Sequence, residues 1–211
     1  MNDPYSGIAP YYDAATAAFL RGPRRAVAGA CAALGARRIL DMGCGTGRLF
    51  PFLSGADLAV GLDASAAMLA ERRRGIAAGS NAFFVAADGA NPPFAPGSFD
   101  LVTCCLLLHE SGERAEPLLT SALSLAPRAL VLEWRMPERN LDYLRTFWVH
   151  GIERLAGRDH YRSFRRFMRL GGLNGLAQRC GARLAAERVL AGGSLVLALL
   201  ESSCHASSHH A

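Results

Sequence analysis

The chain has 211 residues, 51% of them hydrophobic, with a formal net charge of +5 and six cysteines. This length suits one domain with a substantial core, the composition excludes a disordered chain, and no apolar run reaches the roughly 20 residues of a bilayer span. The cysteines (31, 44, 104, 105, 180 and 204) lack C-x-x-C spacing, which favours reduced, mostly buried thiols over disulfides or a zinc site.

The first residues, Met1 to Ser6, carry neither a basic nor an apolar leader, so a cytoplasmic setting is expected. Residues 5–35 open on Tyr5, Tyr11 and Tyr12 and run alanine-rich to Gly35, with Gly22-Pro23 predicting a break into two helices. Arg37 to Met42 reads as a buried strand, followed by the turn Gly43-Cys44-Gly45-Thr46-Gly47 and a short helix from Arg48 to Leu53. Leu58 to Leu62 is a second strand ending at Asp63, with Ser65 as the N-cap of a helix to about Ala77. Phe83 to Ala87 is a third strand, ending at Asp88 before the loop Asn91–Gly97. Phe99 to Leu108, the longest apolar run, predicts a central strand ending at His109-Glu110. A helix from about Glu113 to Ala126 and a strand from Ala129 to Trp134 follow. Continuous rather than alternating apolar strands, separated by helices, predict a parallel sheet buried on both faces in a doubly wound α/β domain.

Residues 138–170 differ, with Leu141, Tyr143, Leu144, Phe147, Trp148 and Ile152 at helical spacing among arginines. After a helix near Leu173–Cys180, the runs Ala185–Leu190 and Ser194–Leu200 meet at Gly192-Gly193. They predict a hairpin that ends the sheet with an antiparallel strand. The small, polar stretch 202–211 is expected to be a disordered tail; its Cys204, His205, His209 and His210 are too irregularly spaced for a metal centre. Every basic residue is arginine: residues 1–134 hold 11 against 12 acids, and residues 135–188 hold 12 against 5. That local excess suits an anionic ligand or a membrane surface, or equally a solvated helical face. No nucleic-acid module is recognisable.

The glycine turn is the most informative stretch. Glycines at alternate positions permit positive φ and bring a ligand close to main chain, and amides at a following helix start favour an anionic group. A dinucleotide fingerprint, G-x-G-x-x-G, fails because Arg48 stands where the third glycine belongs. Asp41, two residues before the first glycine, is expected to orient the loop amides or meet a cationic ligand group.

These residues carry a resemblance. Ile39-Leu40-Asp41-Met42-Gly43-Cys44-Gly45-Thr46-Gly47 resembles motif I of class I S-adenosylmethionine-dependent methyltransferases. Gly61 to Leu69, with Asp63 lying 22 residues after Asp41, is similar to the second-strand segment. Ala87-Asp88-Gly89-Ala90, Pro93-Phe94 and Phe99-Asp100-Leu101-Val102 resemble the later stations. The likeness covers about residues 5–135 and is nearest the ubiquinone/menaquinone-type small-molecule group, methyltransferase type 11.

The resemblance implies a Rossmann-like sheet of about seven strands with helices on both faces, and S-adenosyl-L-methionine as cofactor. It implies that the Gly43, Cys44, Gly45 and Gly47 backbone meets the amino-acid end. Asp63 would accept the ribose hydroxyls and Asp88, beside Gly89, the adenine amine. Ala64, Met68 and Leu106 would form apolar walls, and the Cys105 and Leu106 carbonyls would lie near the amino group. Tyr12 is a candidate to close over the site, and His109 a candidate base. One domain, 1–201, is expected, with 5–35 as helical cover and 138–170 as a helical insertion on the substrate side. The acceptor would be a small molecule with apolar and anionic parts.

Three alternatives bear on this reading. Asn91-Pro92-Pro93-Phe94 matches the signature of amide methyltransferases, but it precedes the fourth strand instead of following it, so that reading is rejected. A cofactor-binding subunit without chemistry would share the same binding residues. A nicotinamide oxidoreductase is disfavoured by Arg48.

Overall fold

The computed structural model of the chain describes residues 9–72, 81–135 and 158–202, with side chains from residue 19 to 71 in the first of these. Expectations for the end of the second helix, for residues 138–157 and for the tail beyond residue 202 lie outside the described residues.

Seven strands form one sheet: β1 (Arg38–Met42), β2 (Leu58–Asp63), β3 (Ala82–Ala86), β4 (Leu101–Cys105), β5 (Arg128–Trp134), β6 (Ala182–Leu190) and β7 (Leu195–Ser202). Their order is β3-β2-β1-β4-β5-β7-β6. The first five run parallel, and β7 lies antiparallel to both β5 and β6, as the Gly192-Gly193 hairpin predicts. Among the described residues the accompanying α-helices are α1 (Ala9–Ala33), α2 (Ala66–Arg72), α3 (Ala115–Leu125), α4 (Arg158–Arg169) and α5 (Gly172–Arg179).

The apolar strands are continuous because successive side chains enter different cores. Leu40, Met42, Val102 and Val131 pack with α3 and α5 on one face. Ile39, Leu101, Leu130 and Leu132 pack with α1 and Phe164 of α4 on the other. Such strands have no solvent face, so their polar groups collect at the strand ends.

Three expectations are corrected. The N-terminal segment is one helix, and Pro23 lies inside it. Leu20, Pro23, Val27 and Cys31 are all buried and recur at helical spacing. Burying that stripe against the sheet offsets the roughly 3 kcal/mol that an interior proline costs. The glycine turn leads not into an α-helix but into a single 3-10 turn, Phe50–Phe52. Finally, β4 spans only Leu101–Cys105, because Leu106 takes a left-handed conformation (φ +57°) that turns the chain out of the ladder.

Candidate functional site

In the order β2-β1-β4-β5 the chain winds outward in opposite directions from β1 and β4, leaving a crevice at the carboxyl ends of the strands. A cavity of about 520 Å³ opens there. The volume is that of a small-molecule or cofactor site.

Asp63 ends β2 with both carboxylate oxygens held by main chain. Oδ2 accepts the Gly45 amide at 2.7 Å, and Oδ1 accepts the Ser65 amide at 2.8 Å. This grip of two amides fixes the orientation of the carboxylate at the cavity rim. Ser65 is the predicted cap: its Oγ accepts the Met68 amide at 3.1 Å.

Asp41 is buried (3% exposed) and accepts the Thr103 hydroxyl at 2.7 Å. Burial raises its carboxyl pKa to about 7; the Thr103 bond opposes that rise, Asp63 adds to it, and Arg24 opposes it. Asp41 does not orient the loop amides, as the sequence suggested. Those of Gly43 and Cys44 bond the Leu62 carbonyl at 2.8 and 3.1 Å, and that of Gly47 bonds the Cys44 carbonyl at 2.9 Å. With these amides engaged and no α-helix behind the turn, the anion cradle read from the glycines is not what this loop forms. It is a tight turn that brings bare main chain to the cavity wall at Gly43 and Gly45. At Gly43 (φ +72°) an added Cβ would meet Leu107 Cδ1 at 2.7 Å. At Gly45 (φ +53°), on the cavity wall, one would meet nothing within 4 Å.

Of the residues singled out from sequence, Asp41, Gly43, Cys44, Gly45, Asp63, Ala64, Met68, Gly89, Cys105 and Leu106 line the cavity. Gly47, Asp88 and His109 are not on its wall. Tyr12 falls within α1, but its side chain is outside the described ones. Asp88 accepts the Ala90 amide at 2.8 Å and pairs with Arg114. His109 is buried behind the wall, its Nδ1 2.8 Å from Glu133 Oε2. Glu133 Oε1 also accepts the Leu108 amide at 2.7 Å. That geometry makes His109 a residue held by the strand ends rather than one facing the cavity as a base.

Arg24, Glu110, Ser111 and Arg114 line the cavity and were missed as site residues. Arg24 carried a faint signal, standing four residues after buried Leu20 on the same helical face. The other three sit on a turn whose path depends on Leu106. The described arginines of α4 do not line this cavity; Arg158, Arg162, Arg165 and Arg169 flank a separate hollow with Tyr161. The thiols of Cys31, Cys104 and Cys105 offer no nucleophile at neutral pH: burial pushes Cys31 up to about 12, and Cys104 and Cys105 also rise well above the ordinary value.

Comparison with known proteins agrees with this arrangement. Residues 39–127 match the family described as "Methyltransferase domain". The demethylmenaquinone methyltransferase of Thermus thermophilus is 37% identical over 147 residues, 64% of this chain and 66% of that protein. The chain thus spans just under two thirds of that relative's length. Among solved structures, magnesium protoporphyrin IX methyltransferase from Synechocystis PCC 6803, with bound S-adenosylhomocysteine, superposes with a TM-score of 0.62. It is 21% identical and covers 88% of this chain and 84% of its own. A chain from the complex with the Haloferax volcanii Trm112 methyltransferase activator matches with a TM-score of 0.65, at 15% identity over 96% and 99% of the two chains. At such identities the likeness is one of fold. Residues 39–127 thus match a methyltransferase domain family, and the sheet as a whole shares the fold of these solved structures.

Proposed function

We propose that the chain is a methyltransferase that uses S-adenosyl-L-methionine to methylate a small molecule by direct in-line displacement. The observation that carries the reading is Asp63, held by two backbone amides at the rim of the switch-point cavity, inside a segment that matches the methyltransferase domain family.

The residues present fit that cofactor. Asp63, oriented by its two amide bonds, accepts the ribose hydroxyls. Asp41 meets the cationic amino group, and ligand charge there favours its ionised form. The backbone of Gly43, Cys44, Gly45 and Gly47 meets the amino-acid end, while Ala64, Met68 and Leu106 give an apolar wall. Asp88 turns from Arg114 to the adenine amine. Bound, the cofactor supplies a methyl carbon already made electrophilic by its sulfonium. The protein's part is to position the acceptor and exclude water, and Leu20, Leu107 and Leu132 on the cavity wall serve that end. This is why no catalytic triad is needed, and why His109 behind the wall is no obstacle.

For the acceptor we infer a small, largely apolar molecule with a polar or anionic group. The leucines of the wall support the first part, and Arg24, Arg48 and Arg114 on the same wall support the second. The named activity of the Thermus relative makes a demethylated quinone the first acceptor to try. A cytoplasmic setting agrees with the free buried thiols.

Calorimetry with S-adenosylhomocysteine tests the reading: wild type binds and Asp63→Ala does not. Folded wild type that fails to bind, or binding indifferent to Asp63→Ala, overturns it. Release of S-adenosylhomocysteine over an acceptor panel separates an enzyme from a cofactor-binding subunit.

A further inference from the structure

Beside the cavity, three side chains with metal-binding atoms converge, although the spacing of Cys and His in the sequence points to no metal site. One ligand atom from each of His109, Glu110 and His160 lies within 4.8 Å of the other two. His109 and Glu110 come from the turn after β4, and His160 from the first turn of α4. The His109 and His160 rings are 5.5 Å apart and nearly perpendicular (78°), and His160 Nδ1 stands 3.4 Å from Glu110 Oε2.

The orientation of His109 is set from behind. Its Nδ1 is engaged by Glu133 Oε2, so Nε2 is the nitrogen it would turn to a metal. Glu133 is fully buried and also held by the Leu108 amide, so it cannot swing away. A carboxylate on the far nitrogen fixes tautomer and orientation, and raises the basicity of a metal-binding imidazole. Trp134 and Phe164 flank the His109 ring at 6.3 and 6.1 Å, giving the apolar surroundings that strengthen coordination. Glu110 and His160 retain 23% and 18% side-chain exposure, so an ion reaches them from solvent.

We propose that His109, Glu110 and His160 form a three-ligand site for a zinc-class divalent cation, with Glu133 holding His109 in place. Two imidazoles and one carboxylate are the donor set of open zinc centres, which keep a fourth position for an exchangeable ligand. Bonds of about 2.0–2.2 Å require the three atoms to draw together by roughly 1 Å, a side-chain adjustment. Glu110 also lines the cavity, so the open position lies at its edge, within reach of an oxygen of a bound molecule. The site does not depend on the methyl-transfer reading.

The test uses the full chain, stripped with a chelator and titrated with zinc chloride by calorimetry. Cobalt(II) absorption reports the ligand type, and a melting curve checks each variant. The expected result is one zinc per chain and a cobalt spectrum without a thiolate band. His160→Ala and Glu110→Gln should each weaken binding at least about 100-fold, and Glu133→Gln about 10- to 100-fold. No uptake by the stripped protein overturns the proposal and leaves Glu110 and His160 as a simple ion pair. Uptake unchanged in His160→Ala and Glu110→Gln, or a thiolate band, also overturns it by assigning the metal to other groups such as Cys204. Should His160→Ala fail to fold, the part-exposed Glu110→Gln carries the test. S-adenosylhomocysteine titrated in parallel keeps the two readings apart, since either can fail while the other stands.

Discussion

The two sides of the cavity rim are built by different means. On the β1–β2 side, Asp63 takes amides only 2 and 18 residues away, and the loop gets its shape from glycines at positive φ. On the β4–β5 side, Glu133 takes the Leu108 amide and the His109 ring across 25 and 24 residues, and His160 arrives from a helix beyond both. The first side is backbone geometry, bare and ready for a ligand. The second is a set of side chains gathered from distant elements around the buried Glu133–His109 pair. Binding of the methyl donor should therefore reside mainly on the first side and fold stability on the second.

The largest expected effect attacks the ligand side. Asp63→Ala should weaken S-adenosylhomocysteine binding by about 100-fold or more, because two hydrogen bonds to a charged group at roughly 1.5–3 kcal/mol each are lost. Calorimetry reads it directly, and Asp63→Asn should fall between. Glu133→Ala probes the other side: a buried amide and imidazole lose their partner, which costs about 2–4 kcal/mol in urea unfolding. Its S-adenosylhomocysteine affinity should change by less than about threefold; a larger change would erase the contrast between the two sides.

Gly43→Ala tests whether the ligand side is backbone geometry. A left-handed φ costs a non-glycine residue about 1–2 kcal/mol, and the new Cβ meets Leu107. A lowered melting point together with weaker cofactor binding is expected, and a neutral result would deny the loop its role.

Asp41 gives a pH signature. With its carboxyl raised from 3.8 to about 7 in the folded chain, its contribution to stability is fully present below about pH 4. That contribution is lost as pH rises through about 7. Binding of a cationic ligand runs the opposite way, strengthening as Asp41 ionises, up to about tenfold between pH 6 and 8. Asp41→Asn should flatten both trends, and a flat wild-type profile would remove Asp41 from the ligand's amino end. The smallest effect belongs to Arg114→Ala. Its pair with Asp88 is half exposed, so unfolding should shift by less than about 1 kcal/mol.

How much was legible follows the same division. Asp41, Gly43, Gly45, Asp63 and Gly89 could be read from sequence as cavity residues because each stands near a strand end or in a tight turn. The Ser65 cap and the Gly192-Gly193 hairpin are of the same kind. The course of α1 through Pro23 was not legible, since local propensity argues for a break and only the buried stripe facing the sheet overrides it. Nor was the early end of β4, which depends on a leucine held in a conformation that its own residue type disfavours.

The sequence by itself determined the doubly wound sheet, its antiparallel finish and the acid-and-glycine side of the cavity. Apolar runs, turn residues and caps act over a few positions, and their physics is complete within them. Only the tertiary structure decided that Arg24 enters the cavity and that Thr103 meets Asp41 across adjacent strands. The same holds for Glu133 behind His109 and for His160 close to Glu110. Those pairings join residues tens of positions apart, and what brings them together is the register of the sheet and the docking of helices upon it.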